Sequence, residues 1–161
     1  MIKYFQITDK NELSLLKGRS ASFGNLNFSF SDSYIEELAA LFDKENCLQL
    51  FAKDSETDKI VGYIAAAETL EKDYITIVEL FIEQTHQRRG IGIGLASEII
   101  EFGKKKNLSG VITQTEFENI PAQNLYEKLG FVKIKNPEWK GGVTYRLDFS
   151  SMKYPYSNVT M

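Results

Sequence analysis

The sequence predicts a mixed α/β domain in which an antiparallel meander leads into a parallel strand–helix–strand crossover. Two observations carry this. Apolar runs at residues 48–52, 60–65 and 74–82 follow one another across short polar turns, as an antiparallel meander requires. The last run then reaches another at residues 111–115 through a helix-period segment at residues 92–106, which implies a parallel neighbour. At 161 residues the chain is long enough for one domain with a real core and short for two.

Taken in order, residues 2–8 read as a first strand, with Tyr4, Phe5 and Ile7 as β-formers. Asp9-x-x-Glu12 resembles a capping box ahead of a short helical face at Leu13 and Leu16. Residues 20–31 are rich in Gly, Ser and Asn and read as a loop. Phe23, Leu26, Phe28 and Phe30 within it either fold over a pocket or complete the core beneath. Ser33-x-x-Glu36 opens the next helix, with Ile35, Leu38, Ala39 and Phe42 at helical spacing. Residues 54–59 and 71–73 are the turns of the meander. In the crossover helix Leu95, Ala96, Ile99 and Ile100 form the apolar face, and Lys104, Lys105 and Lys106 suit its negative end. Asn119 is placed to cap a further helix, with Pro121 in its first turn, Leu125, Tyr126 and Leu129 on its apolar face, and Gly130 at its end. Residues 131–135 and 143–149 close the sheet. The expected organisation is one domain over residues 1–149 and a polar tail over residues 150–161.

Composition narrows the function. Hydrophobic residues at 43% and charged residues at 25% are ordinary globular values. A net charge of −3 argues against a nucleic-acid surface. The single cysteine, Cys47, excludes an internal disulfide framework and fits a reducing compartment. The first residues lack a signal-peptide h-region and no apolar run has membrane-spanning length, so no membrane partner and a cytoplasmic location are expected. His86 is the only histidine, and no metal is expected.

The chemistry concentrates between residues 78 and 101. An apolar strand leads through Gln87, Arg88 and Arg89 into Gly90, Ile91, Gly92 and Gly94 and then a helix. Glycines there permit positive φ and a close approach of ligand to backbone, and the unpaired amides of a helix start favour an anion. The arginines add forked donors suited to phosphate oxygens. A dinucleotide loop would need a third glycine where Leu95 stands, and the Gly-Lys-Ser/Thr of a P-loop is missing. The reading is therefore a turn for a phosphate ester or pyrophosphate.

Gln87-Arg88-Arg89-Gly90-Ile91-Gly92 resembles the Gln/Arg-x-x-Gly-x-Gly/Ala signature of the GNAT superfamily of acyl-CoA-dependent N-acyltransferases. The run from Asn119 through Ala122, Leu125, Tyr126, Gly130 and Phe131 is similar to the same family's Asn-x-x-Ala-x-x-Leu-Tyr-x-x-x-Gly-Phe segment. The resemblance covers residues 48–149. It implies a GNAT-like fold, a mixed sheet splayed open around acyl-CoA. It also implies acetyl transfer from acetyl-CoA, as acyl-donor cosubstrate, to a primary amine of a small molecule or protein by direct attack in a ternary complex.

By the same resemblance the amides from Gln87 to Gly92 would hold the pyrophosphate, Leu80, Phe81 and Ile82 would offer main-chain groups to the pantetheine arm, and Asn119 would bond near it. The Leu80 amide would polarise the thioester carbonyl. Tyr126 occupies the position of a general acid for the leaving thiolate, and a phenol with a pKa of ~10 keeps its proton at neutral pH. The base is less well marked. Members that use a glutamate on this strand carry it at the positions of Val78 or Thr76, whereas this chain has Glu79, which strand alternation turns to the other face unless a bulge re-aims it. Glu68 is the second candidate. A CoA-binding domain used for sensing is the alternative to an enzyme, and pairing of the closing strand across a homodimer is left open.

Overall fold

The computed structural model describes residues 1–23 and 26–150. Residues 24 and 25, inside the expected loop, and residues 151–161, nearly all of the expected polar tail, lie outside the described part. The meander and crossover form as the apolar runs require. The strands are β1 (Ile2–Gln6), β4 (Leu48–Asp54), β5 (Lys59–Ala67), β6 (Tyr74–Ile82), β7 (Gly110–Glu116), β8 (Val132–Ile134) and β9 (Gly142–Asp148). They make one seven-stranded sheet in the order β1-β4-β5-β6-β7-β9-β8, antiparallel except for the parallel β6–β7 pair. That pair is parallel because helix α2 (Ile91–Lys105) carries the chain back between its strands.

Each face of the sheet has its own core. On one, α2 lays Leu95, Ala96 and Ile99 against Ile64, Ala66 and Ile75. Helix α3 (Ile120–Lys128) covers the far end of the same face, with Tyr126 buried. On the other face, helix α1 (Asp32–Ala40) and the 3-10 turn Lys10–Leu16 bury Leu13, Leu16 and Leu38 against Phe51, Tyr63 and Phe81. Tyr63 carries its hydroxyl into that core because Gln49 Oε1 accepts it at 2.5 Å, while Gln49 Nε2 donates to the Leu38 carbonyl at 2.8 Å.

Two expectations are corrected. The stretch read as a loop contains a hairpin, β2 (Ser20–Phe23) with β3 (Leu26–Ser29). Its polar composition hides a period of two, and Ser22 Oγ donates across the pair to Asn27 at 2.9 Å. Both alternatives for its aromatics are met by different residues, since Phe30 is buried in the core and Phe28 faces a cleft. The cap of α1 is Ser31 rather than Ser33: Ser31 Oγ accepts the Tyr34 amide at 3.2 Å, which starts the helix two residues earlier than the capping-box pattern suggests.

Candidate active site

The parallel pairing of β6 with β7 runs only from Tyr74↔Gly110 to Ile77↔Thr113, although both strands continue. Beyond Ile77, β6 keeps β5 as its neighbour on one side and, among the described residues, has no strand on the other, so the sheet splays. A cleft of about 770 Å³ opens there, running from the start of α2, past Leu80 and Ile82, to Phe28, Glu79 and Glu116.

One end of the cleft is built for an anion. Arg88 and Gly90 both take left-handed backbone, at φ 63° and 80°, which turns the chain sharply before α2. The first intrahelical bond at this end is Gly94 N to Gly90 O at 3.0 Å, so the amides of Ile91, Gly92 and Ile93 have no helical acceptor, and no side chain caps them. These residues line the cleft, and the positive end of the helix dipole points with them. Gly92 also lets α3 pack closely on α2: a Cβ on it would sit 2.6 Å from Leu125 Cδ1, and that side chain would have to shift. Arg88 lines the cleft, but Arg89 is exposed and not part of the wall, and Gln87 turns its side chain back to the Ile82 carbonyl at 3.4 Å. Asn119 spends its side-chain oxygen on the Ala122 amide at 3.2 Å and caps α3.

The middle of the cleft is apolar backbone and a phenol. Leu80 and Ile82 pack toward α2, while the Phe81 side chain is buried on the opposite face, so Phe81 can offer only its main chain to a ligand. Tyr126 lines the cleft with its ring against Phe131 and Tyr145, at centroid separations of 5.3 and 5.9 Å. Burial holds its phenol well above the ordinary value, the Thr113 hydroxyl pulls it down, and Glu79 adds to the rise.

The other end carries carboxylates. Opposite β5 the register of β6 slips between Ala65↔Glu79 and Ala66↔Ile77, which leaves Val78 as the extra residue of a bulge. Ile77 therefore stays on the α2 face while Glu79 turns to the α1 face, where Tyr34 Oη donates to its Oε1 at 2.7 Å. This is the bulge on which the orientation of Glu79 depended. Burial pushes the Glu79 carboxyl up to about 7; the Tyr34 hydroxyl lowers it, Glu116 raises it, and the Leu80 amide lowers it. Tyr34, unmarked in the sequence because its partner is so distant along the chain, stands behind this end of the cleft, bonded to Glu79.

The other candidates have other partners. Glu68 accepts from Asn46 Nδ2 at 2.7 Å and from the Asp73 amide at 3.0 Å, bonds that hold its carboxyl below the usual range and tie it into a turn away from the cleft. His86 lines the anion end of the cleft, with its Nε2 3.4 Å from Asp54 Oδ2.

An α/β sheet splayed beside a helix N-terminus, with a carboxylate and a phenol in the gap, can hold an anion at one end and move protons at the other. The acetyltransferase (GNAT) family model matches residues 15–131, and the chain belongs to that family of acyl-CoA-dependent N-acetyltransferases. It is 29% identical over 105 residues to human N-acetyltransferase 8, an alignment that covers 63% of this chain and 42% of that protein, so the chain spans less than half of this relative. Its fold is similar to a Staphylococcus aureus GNAT-family acetyltransferase at a TM-score of 0.72 and 20% identity, covering 92% of this chain and 99% of that one. It is also similar to a Bacillus anthracis protein solved in complex with acetyl coenzyme A, at a TM-score of 0.67 and 18% identity, covering 92% and 100%. The splayed mixed sheet implied by the sequence motifs is the fold these structures share. Among the described residues no helix is long and apolar enough to cross a membrane.

Proposed function

We propose that this chain transfers an acetyl group from acetyl-CoA to a primary amine of a small molecule or protein, by direct attack within a ternary complex. The observation that carries the reading is the continuity of a single cleft, with free helix amides at one end and a re-aimed Glu79 at the other. The amides of Ile91, Gly92 and Ile93, with Arg88, hold the pyrophosphate. The free edge of β6 beyond Ile77 receives the pantetheine arm, and the Leu80 amide donates to the thioester oxygen as negative charge develops there.

Glu79 removes the proton that a cationic amine brings. A carboxyl at about 7 accepts that proton at neutral pH far more readily than an ordinary one. The amine nitrogen then bonds to the carbonyl carbon, the C–S bond breaks with its electrons on sulfur, Tyr126 donates its proton to the thiolate, and the proton that the nitrogen sheds as the amide forms restores the phenol. Glu116 adds a second negative charge at the acceptor end, which favours a cationic acceptor.

The test is release of free thiol from acetyl-CoA across a panel of primary amines, with wild type beside Tyr126→Phe. Amine-dependent release that falls at least tenfold in the variant supports the reading. Tight acetyl-CoA binding without release from any small amine or amine-bearing peptide would instead support a CoA-sensing domain.

A further inference from the structure

Tyr34 has no part in bond making as written above, yet several independent features aim its hydroxyl. The bulge at Val78 turns Glu79 toward α1. Ser31 fixes where α1 begins by accepting the Tyr34 amide, and so sets the direction in which the side chain leaves the helix. Phe28 meets the ring edge-on at 5.6 Å and Phe30 stacks on it at 5.9 Å. The result is the 2.7 Å bond from Tyr34 Oη to Glu79 Oε1. A ring needed for packing alone would not require the hydroxyl, and a buried hydroxyl donates where an acceptor is held for it.

We propose that Tyr34 is a positioning residue for the general base: it anchors Glu79 Oε1 and leaves the second carboxylate oxygen to the cleft. The proposal rests on Glu79 acting as the base. A bond donated to a carboxylate favours its charged form, so Tyr34 offsets part of the rise that burial imposes. The titratable groups facing Glu79 are Tyr34 from α1, Tyr63 from β5, Glu116 from β7 and Tyr126 from α3, with Glu37 acting on Tyr34. No cation is among these groups. The Tyr34 hydroxyl is therefore the donor that still favours the ionised carboxylate once the Leu80 amide is committed to the thioester oxygen. Tyr34 keeps its proton throughout, because burial and Glu79 raise its phenol far above the ordinary value.

Tyr34→Phe retains the ring and removes only the donor. The acid limb of kcat/KM for the amine is expected to move to higher pH by about one unit, the usual worth of a bond to a charged group. Affinity for acetyl-CoA stays within about twofold, since the anion turn is not involved. The carboxyl carbon-13 shift of Glu79, followed by NMR in the free protein, should titrate higher in the variant and needs no turnover. Incorporation of 3-fluorotyrosine at position 34, a stronger donor of nearly the same shape, should move both readouts to lower pH and serves if the Phe variant does not fold. An unmoved Glu79 titration in a protein that binds acetyl-CoA normally overturns the proposal. A moved titration with an unmoved rate profile, and with Glu79→Gln fully active, places the failure in the base assignment and overturns the positioning role with it.

Discussion

Gly90→Ala tests the anion turn without disturbing the core. The residue sits at φ 80°, and a Cβ there would meet no heavy atom within 4 Å, so the substitution introduces strain and no clash. Holding an L-residue in the left-handed region costs roughly 1–2 kcal/mol, which for a domain of this size lowers Tm by about 2–8 °C. The strain is relieved if the turn relaxes, but the amides of Ile91, Gly92 and Ile93 then lose their aim. One hydrogen bond lost to a charged phosphate oxygen is worth roughly 1.5–3 kcal/mol, so the Kd for acetyl-CoA should rise about 10- to 150-fold. Calorimetric titration with acetyl-CoA measures the affinity and a thermal melt of the free protein measures the strain. Gly92→Ala is the contrasting variant: its Cβ would lie 2.6 Å from Leu125 Cδ1, so it should loosen the contact of α2 with α3. If Gly90→Ala shows no fall in Tm, the mark of a relaxed turn, yet binds acetyl-CoA within twofold of wild type, the turn is not the pyrophosphate site and the placement of the donor is wrong.

Tyr126→Phe should lower kcat about 10- to 100-fold while the Kd for acetyl-CoA and the Tm hold, because only a hydroxyl is lost from a packed ring. Glu79→Gln should abolish the rise in rate through about pH 7, read from a pH–rate profile. It should also stabilise the protein at high pH. The folded state holds this proton more tightly than the unfolded chain, so the contribution present below about pH 4.5 is lost as pH rises through about 7. Partial exposure limits the gain at pH 8 to roughly 1–2 kcal/mol, a few degrees in Tm, with no gain at pH 4. Glu116→Gln should raise KM for a cationic amine several-fold, weaken its salt dependence, and move the acid limb to lower pH by removing a like charge from Glu79. Deleting Val78 should regularise β6, allow pairing with β7 to extend, and weaken acetyl-CoA binding at least tenfold while Tm is maintained.

The strands and their neighbours were legible because burial on both faces writes itself as continuous apolar runs, and the crossover because residues 92–106 switch to helical period. The anion turn was legible for a local reason, since left-handed Gly90 and the free amides behind it depend on a few consecutive residues. What depended on distant partners was not. Glu79 changes face because β5 presents Ala65 and Ala66 to three residues of β6, and nothing in the β6 sequence announces a bulge. Tyr34 reads as an ordinary helix residue until β6 is laid beside it. Ser33 with Glu36 imitates a capping box, but Ser31 captures the helix start because its hydroxyl reaches the Tyr34 amide as the chain leaves β3. Glu68 looked available as a base, and short-range turn bonding to Asn46 and Asp73 removed it.

The opening of the sheet and the aim of the base share a cause. Pairing with β7 ends at Ile77 and the extra residue on the β5 side is Val78, so both edges of β6 become irregular at the same point. A bulge adds local right-handed twist and bends its strand. That bend carries residues 79–82 away from β7 and exposes the edge of β6 to the cleft. With regular alternation Glu79 would instead follow Ile75 and Ile77 onto the α2 face, among the apolar side chains of the larger core, with no Tyr34 to meet it. An unpaired carboxyl buried there would cost several kcal/mol and would be neutral at working pH, as roughly expected for a desolvated acid. The bulging of Val78, in place of regular alternation through it, thus separates a strand that would only be core from one that presents a donor edge on one side and a base on the other.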